Sequence, residues 1–410
     1  MKSYLNLLVL LLCCLLPGVF VAQQVEQQTG DTTRYQTIIP EAKQGLLKNM
    51  NMIANMQFAL RSEFVDGDHT TTRFKNEQFR LEFRGQVTNK LYFRFRDRYT
   101  RAQTSESVDN LSRSTDLAYI RIDASDKLSI YAGKLCADWG GFEFDYNPID
   151  IYEYSDIIEY ADNFLTGAGV SYNLTPNHQF TFQVLDSRTK TFTELYGPQP
   201  NFTESKVPLS WVINWRGSLL DGKLKTIWSY SINTEAHNIP EDKNANMSYV
   251  ALGTELTLGK FVVAYDFKLS DEDLDRTTIV SNTVPDNLYA YSLQNCEYIG
   301  HWAHLHYRLS NKINLSLMAM LDTANWNNAD QDGPINNPDG ETHIRDAWGF
   351  IPTFEYYPWD TYNLRFFVNY VARNYVYSDY AKSRFFLDPD AADYNTGRFN
   401  IGFVSPVGIF

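Results

Sequence analysis

Two charged sets in this 410-residue chain could do chemistry. The first is the segment 136–163, CADWGGFEFDYNPIDIYEYSDIIEYADN. It carries Asp138, Glu143, Asp145, Asp150, Glu153, Asp156, Glu159 and Asp162, with no lysine or arginine. It is also rich in Tyr and Phe, unlike a freely solvated acidic tail. The second set is basic: Arg80 and Arg84, then Arg94, Arg96 and Arg98, then Arg121. Alternate residues of a strand share a face, so these arginines line one side of a sheet. Carboxylates opposite such a wall create a transverse field that sorts ions by charge without making or breaking a covalent bond.

Covalent chemistry has no comparable footing. The sequence has no nucleophile elbow, P-loop, HExxH or paired-cysteine zinc motif, so no catalytic residue and no cofactor is assigned. His304 and His306 share a strand face near His301, and two imidazoles read as polar lining rather than as a metal site. The run Asn328–Gly333 is like the first half of a calcium loop, with Asp330, Asp332 and, at the twelfth position, Asp339. Its neighbours carry no helical pattern, so a turn-rich surface loop is the plainer reading. Outside the leader only Cys136 and Cys296 remain, too few for a disulfide scaffold, and their pairing stays open. A net charge of −13 argues against a nucleic-acid partner.

The elements that would position the charged sets are strands. In FRLEFRGQVTNKLYFRFRDRYTR (79–101), apolar side chains at Phe79, Leu81, Phe83, Phe93 and Phe95 alternate with Arg80, Glu82, Arg84, Arg94 and Arg96. That hairpin has one greasy face and one basic face. The same split recurs through hairpins near 118–132, 168–184, 211–232, 250–267, 303–321 and 348–370, with single strands at 52–64 and 398–410. About sixteen strands result, each near the length a tilted membrane strand needs. Tight turns alternate with longer connections near 65–72, 102–115, 136–163, 187–207, 234–245, 269–297, 323–344 and 373–396. Such alternation is the pattern of a transmembrane antiparallel β-barrel with short periplasmic turns and long outer loops. Aromatics at 15% without a long apolar run in the mature chain fit that all-β class. Residues 136–163 then become the third outer loop, able to fold into the pore and face the arginines of the second to fifth strands.

Lys2 followed by the apolar run to Ala22 reads as a secretory signal, residues 1–22, with a polar periplasmic segment at 23–50 and the barrel at 51–410. Phe410 fits the terminal aromatic that barrel-assembly machinery reads. The preceding alternation is one residue out of phase with it, and a bulge near Pro406 would restore the phase.

The run YAGKLCADWGGFEFDYNPIDIYEYSDI, with the later FLTGAGVSYNL, resembles the phosphate-selective porin O/P-type family in its Bacteroidetes branch. The likeness is general over most of the mature chain and sharpest over 117–174. It implies a sixteen-stranded porin in a Gram-negative outer membrane, set among lipid and lipopolysaccharide. It further implies a homotrimer that passes small hydrophilic solutes by passive diffusion. Known members use basic ladders for anions, which Arg94, Arg96, Arg98 and Arg121 match in character. The acidic third loop departs from a purely basic throat, so a charged solute is the expectation and phosphate preference the finer one. Two rival classes are a barrel-borne enzyme, which lacks an assembled Ser/His/acid rim, and a secreted glycan-binding β protein.

Overall fold

The computed structural model describes residues 49–105, 108–285, 292–327, 341–359, 363–389 and 392–409. The strands are β1 (Met50–Val65), β2 (Asp68–Thr88), β3 (Leu91–Arg98), β4 (Thr115–Asp123), β5 (Leu128–Cys136), β6 (Phe164–Thr175), β7 (His178–Asp186), β8 (Phe202–Glu204) and β9 (Leu209–Leu219). They continue as β10 (Leu224–Asn238), β11 (Lys243–Leu258), β12 (Phe261–Leu274), β13 (Gln294–Arg308), β14 (Ile313–Trp326), β15 (His343–Tyr356), β16 (Arg365–Tyr377) and β17 (Tyr394–Gly408). Each barrel strand pairs antiparallel with its neighbours, and β1 closes the ring against β17. The three-residue β8 only caps the outer end of β10, leaving sixteen strands in the closed barrel.

Period-two patterning sets the two faces. Phe95, Ile120, Phe182, Ile213, Leu317, Phe350 and Ile401 point outward and are exposed. The intervening Arg96, Asn214, Asp266, Glu355 and Asn369 point inward and are buried. With its apolar side outward, this sheet packs its buried residues in the lumen, against loops that enter it. The short helices Ile279–Thr283 and Asp379–Phe385 join the third loop there, through Val280, Phe385, Trp139, Ile157 and Ile158.

Three sequence expectations are corrected. The connections expected near 65–72 and 234–245 are tight, because β1 runs to Val65 before β2 starts at Asp68, and β10 runs to Asn238 before β11 starts at Lys243. Asp66 and Gly67 both take positive φ, 51° and 86°, which is the hairpin turn whose twist matches the flanking strands. No bulge forms at Pro406: β17 pairs with β1 in unbroken register from Thr396 to Gly408. Phe410, the leader, residues 23–48 and the candidate calcium ligands Asp330, Asp332 and Asp339 lie outside the described residues. Cys136 and Cys296 are both free thiols.

Candidate pore constriction

The chain leaves β5 at Cys136, crosses the lumen and returns at Phe164. A close approach starts the crossing. A Cβ on Gly141 would stand 2.5 Å from the Asp266 carboxylate of β12. Without one, Asp266 reaches the backbone and accepts from the N–H groups of Phe142 and Glu143 at 2.9 and 2.7 Å. Those donors open the one-turn helix Phe142–Asp145, where backbone N–H groups lack intrahelical partners. Asn147 then accepts from the Ile149 N–H and sets the single 3-10 turn Pro148–Asp150.

Apolar feet hold this path down. Ile149, Ile151, Ile157 and Ile158 are almost fully buried, each worth roughly 1.5–3 kcal/mol by area. Ile149, Ile151 and Phe142 pack on inward residues of the far wall, such as Trp302, Met318, Ile351 and Phe367, while Ile157 and Ile158 join the cluster of Leu135, Leu185, Tyr298 and Trp326. Tyr146 adds edge-on contacts to Trp302 and His304 and donates to Glu255 at 2.8 Å.

Six of the eight acids of the segment are ion-paired to the barrel wall between β9 and β17. Asp138 and Asp145 both take Arg216 of β9, at 2.7 Å each. Glu143 meets Lys268 of β12 and accepts from the Ser155 N–H and Oγ at 2.6 and 2.7 Å, all fully buried. Asp150 pairs with Arg365 of β16, Glu153 with Arg398 of β17, and Asp156 with Arg345 of β15 and Arg373 of β16. Burial and the nearby Glu255 charge push the Tyr146 hydroxyl up, so it stays neutral.

The predicted arginine wall pairs mainly with other carboxylates, which corrects the idea that the loop acids as a group face it; of the acids named above, Glu159 keeps Arg98 among its charged neighbours. Arg80, Arg96 and Arg98 converge on Asp116 at 3.3, 3.3 and 2.7 Å, sealed from solvent except for part of Arg98. Arg94 grips Glu82 with two hydrogen bonds, 3.0 and 3.1 Å, and Arg84 stands 3.5 Å from the same acid. Arg121 pairs with Asp123 at 3.0 Å and stacks over Tyr92 at 4.6 Å. Six guanidinium groups thus share three carboxylates.

Sequence reasoning missed Lys268, Arg345 and Arg398 as loop anchors, and Asp116 as the hub of the arginines. Asp116 sits where the β3–β4 register shifts, so no alternation pointed to it. A signal for the landing site did exist. Met318 and Met320 interrupt the outward run Leu315, Leu317, Ala319 and Leu321, making that strand apolar on both faces.

The profile of the phosphate-selective porin O and P family matches residues 51–398. The chain belongs to this family. It is a porin of a Gram-negative outer membrane, through which solutes pass by passive diffusion. Comparison with curated proteins finds no match. Among solved structures, the outer-membrane channel DcaP of Acinetobacter baumannii is similar at 11% identity and TM-score 0.58, covering 87% of this chain and 96% of that one. The anion-selective porin from Comamonas acidovorans aligns at 8% identity and TM-score 0.55, over 87% and 99% of the two chains. OmpT of Vibrio cholerae, in a trimer form, aligns at 10% identity and TM-score 0.50, over 87% and 98%. At these identities the likeness carries the barrel fold alone.

Proposed function

We propose that this porin passes small anions along the side of the lumen formed by β2 to β7. The observation that carries the reading is the division of charge. Six of the eight loop acids are held by Lys268 and by arginines of β9, β15, β16 and β17, rather than by Arg84, Arg94 and Arg121, which stand against Glu82 and Asp123. Those three keep partly open side chains, 19% each, whereas Arg80 is closed off at 3%. Farther round the wall, on β9 next to β7, Arg216 stays 33% open beside Asp138 and Asp145. A unit charge about 4 Å away in water is worth about 1 kcal/mol, roughly a fivefold change in local anion concentration. Replacing Arg84, Arg94 and Arg121 with Gln tests this in planar bilayers under a salt gradient. The reversal potential should move toward cations; an unchanged ratio of anion to cation permeability removes these arginines from the path.

The name of the Comamonas porin, anion-selective, is consistent with this preference. The trimer form of the Vibrio cholerae protein supports a homotrimer here. We further propose residues 1–22 as a cleaved leader, 23–50 as a periplasmic lead-in and Phe410 as the residue read by the assembly machinery. Outward rings such as Phe350 and Trp348 would meet lipid. The protein acts as a channel with no covalent step.

A further inference from the structure

We infer that the inner wall of β3 to β5 holds a binding site for aromatic carboxylates, in which a guanidinium takes the carboxylate and tyrosines take the ring. This site rests on the anion reading above and names the class of solute.

Two rows of inward side chains cross the wall below the third loop. In the row nearer the short turns, Tyr92 pairs with Arg121, and Arg121 with Tyr131. In the next row, Arg84 pairs with Arg94, and Arg94 with Tyr119. Tyr92 and Arg94 are two apart on β3, as Tyr119 and Arg121 are on β4, so each pair shares a face. From β3 to β4, guanidinium and phenol therefore alternate both along the strands and across them. The patch ends at a strip without side chains, where Gly133 stands opposite Tyr119 and Gly169 opposite Tyr131.

Both kinds of group keep room for a solute. Arg94 meets Glu82 through Nε and Nη2, and Arg121 meets Asp123 through the same edge. A guanidinium carries five N–H donors, so that arrangement leaves Nη1 of each for a carboxylate. Tyr92, Tyr119 and Tyr131 are only half-buried. The rings of Tyr119 and Tyr131 lie 6.1 Å apart and are inclined at 56°, so they do not stack and leave ring surface for a third ring.

The neighbours decide which ring. A sugar acid also suits a guanidinium, but its hydroxyl groups need hydrogen-bond partners. The neutral polar side chains beside the patch, on β6 and β7, are engaged elsewhere. Gln183 accepts from the Asp138 N–H at 2.8 Å and donates to the Cys136 carbonyl at 3.2 Å. Ser171 bonds Thr181 at 2.8 Å, and Gln179 donates to Asn173 at 2.9 Å. A flat aromatic ring needs no such partners and gains from tyrosine rings and guanidinium planes alike. Inorganic phosphate uses the guanidinium groups and leaves the three rings without a role.

The test adds benzoate, cyclohexanecarboxylate, glucuronate or inorganic phosphate to single channels carrying chloride in planar bilayers. Interruption of the current reads binding in the lumen. Benzoate should act at roughly two- to tenfold lower concentration than cyclohexanecarboxylate, the worth of one aromatic pair, and below glucuronate and phosphate. Tyr119→Leu/Tyr131→Leu should bring benzoate level with cyclohexanecarboxylate, and Tyr119→Phe/Tyr131→Phe, which keeps the rings, should restore the gap. Heat-modifiable gel migration verifies that both variants fold, and the wild-type ranking stands without them. Benzoate no better than cyclohexanecarboxylate, surpassed by glucuronate or phosphate, or unaffected by the leucines overturns this site and leaves the anion reading intact. A wild-type channel that prefers sodium to chloride overturns both.

Discussion

Lys268→Met probes how the third loop is held. Lys268 is fully buried in the lumen wall and meets both Glu143 and Ser155. In the variant, Glu143 keeps only the Ser155 N–H and hydroxyl donors. The adjoining Asp266 carboxylate, which caps the Phe142 helix, loses the same compensating cation. Removing one partner of a buried pair costs about 3–5 kcal/mol, because the remaining charge stays buried and uncompensated. If that cost falls on docking, the equilibrium shifts on the order of 10²- to 10⁴-fold toward a released loop. The isoleucine feet and the ion pairs of Asp150, Glu153 and Asp156 still hold the far part, so release should concentrate near 140–147. Planar-bilayer recordings should show larger, noisier single-channel conductance, and limited proteolysis should cut in that stretch. The double variant Glu143→Gln/Lys268→Met removes both charges and should recover most of the wild-type behaviour. Wild-type conductance and protease resistance in Lys268→Met, or a double variant worse than the single, would refute the latch.

Three further outcomes follow from the same geometry. Asp116→Asn should lower the temperature of heat-modifiable gel migration markedly, since three arginines lose their shared anion; Asp123→Asn, whose partner Arg121 is partly open, should cost under about 1 kcal/mol and leave that temperature nearly unchanged. Gly133→Ala should cost about 2 kcal/mol or more in a urea titration of the folded barrel, because Gly133 has φ +127° and a Cβ would stand 2.3 Å from the Ala118 carbonyl. Burial pushes the Asp275 carboxyl up despite donors from Ser281, Tyr298 and Thr278, so its proton is held more tightly in the docked segment than in a free one. Docking of Ile279–Thr283 is therefore favoured in acid and weakens as pH rises through the raised value; hydrogen exchange should show that slope, and Asp275→Asn should flatten it.

The barrel was legible because its signal is local. Leu315, Leu317 and Leu321 announce an outward face by spacing alone, and Ser310-Asn311-Lys312 announces the turn before them. Loop length was less legible. Residues 65–72 and 234–245 are polar enough to read as loops, yet a tight turn at Asp66-Gly67 lets polar residues continue as strand above the membrane. Polarity separates membrane from water; it does not separate strand from loop once the strand has left the membrane. Asp116 illustrates a second limit, since a register shift removes its side chain from the count.

The charged constellation was visible as two inventories but not as a pairing, and the physics explains why. Strand register places Arg94, Arg96 and Arg98 on one wall, where Glu82 and Asp116 are the nearest acids. The path of the third loop is decided by something else. Its isoleucines need apolar ground: Trp302, Met318, Ile351 and Phe367 supply it to Ile149 and Ile151 on the far side, and Leu135, Leu185, Tyr298 and Trp326 supply it to Ile157 and Ile158. Acids spaced between those isoleucines must then meet whatever cations that wall carries, which are Arg216, Lys268, Arg345, Arg365, Arg373 and Arg398. Apolar footing thus separates the acidic loop from the first arginine set. Arg80, Arg84, Arg94, Arg96, Arg98 and Arg121 stand against Asp116, Glu82 and Asp123, and on the proposed anion reading that local surplus, rather than the acid count of the loop, gives the sign of the field a solute meets beside it.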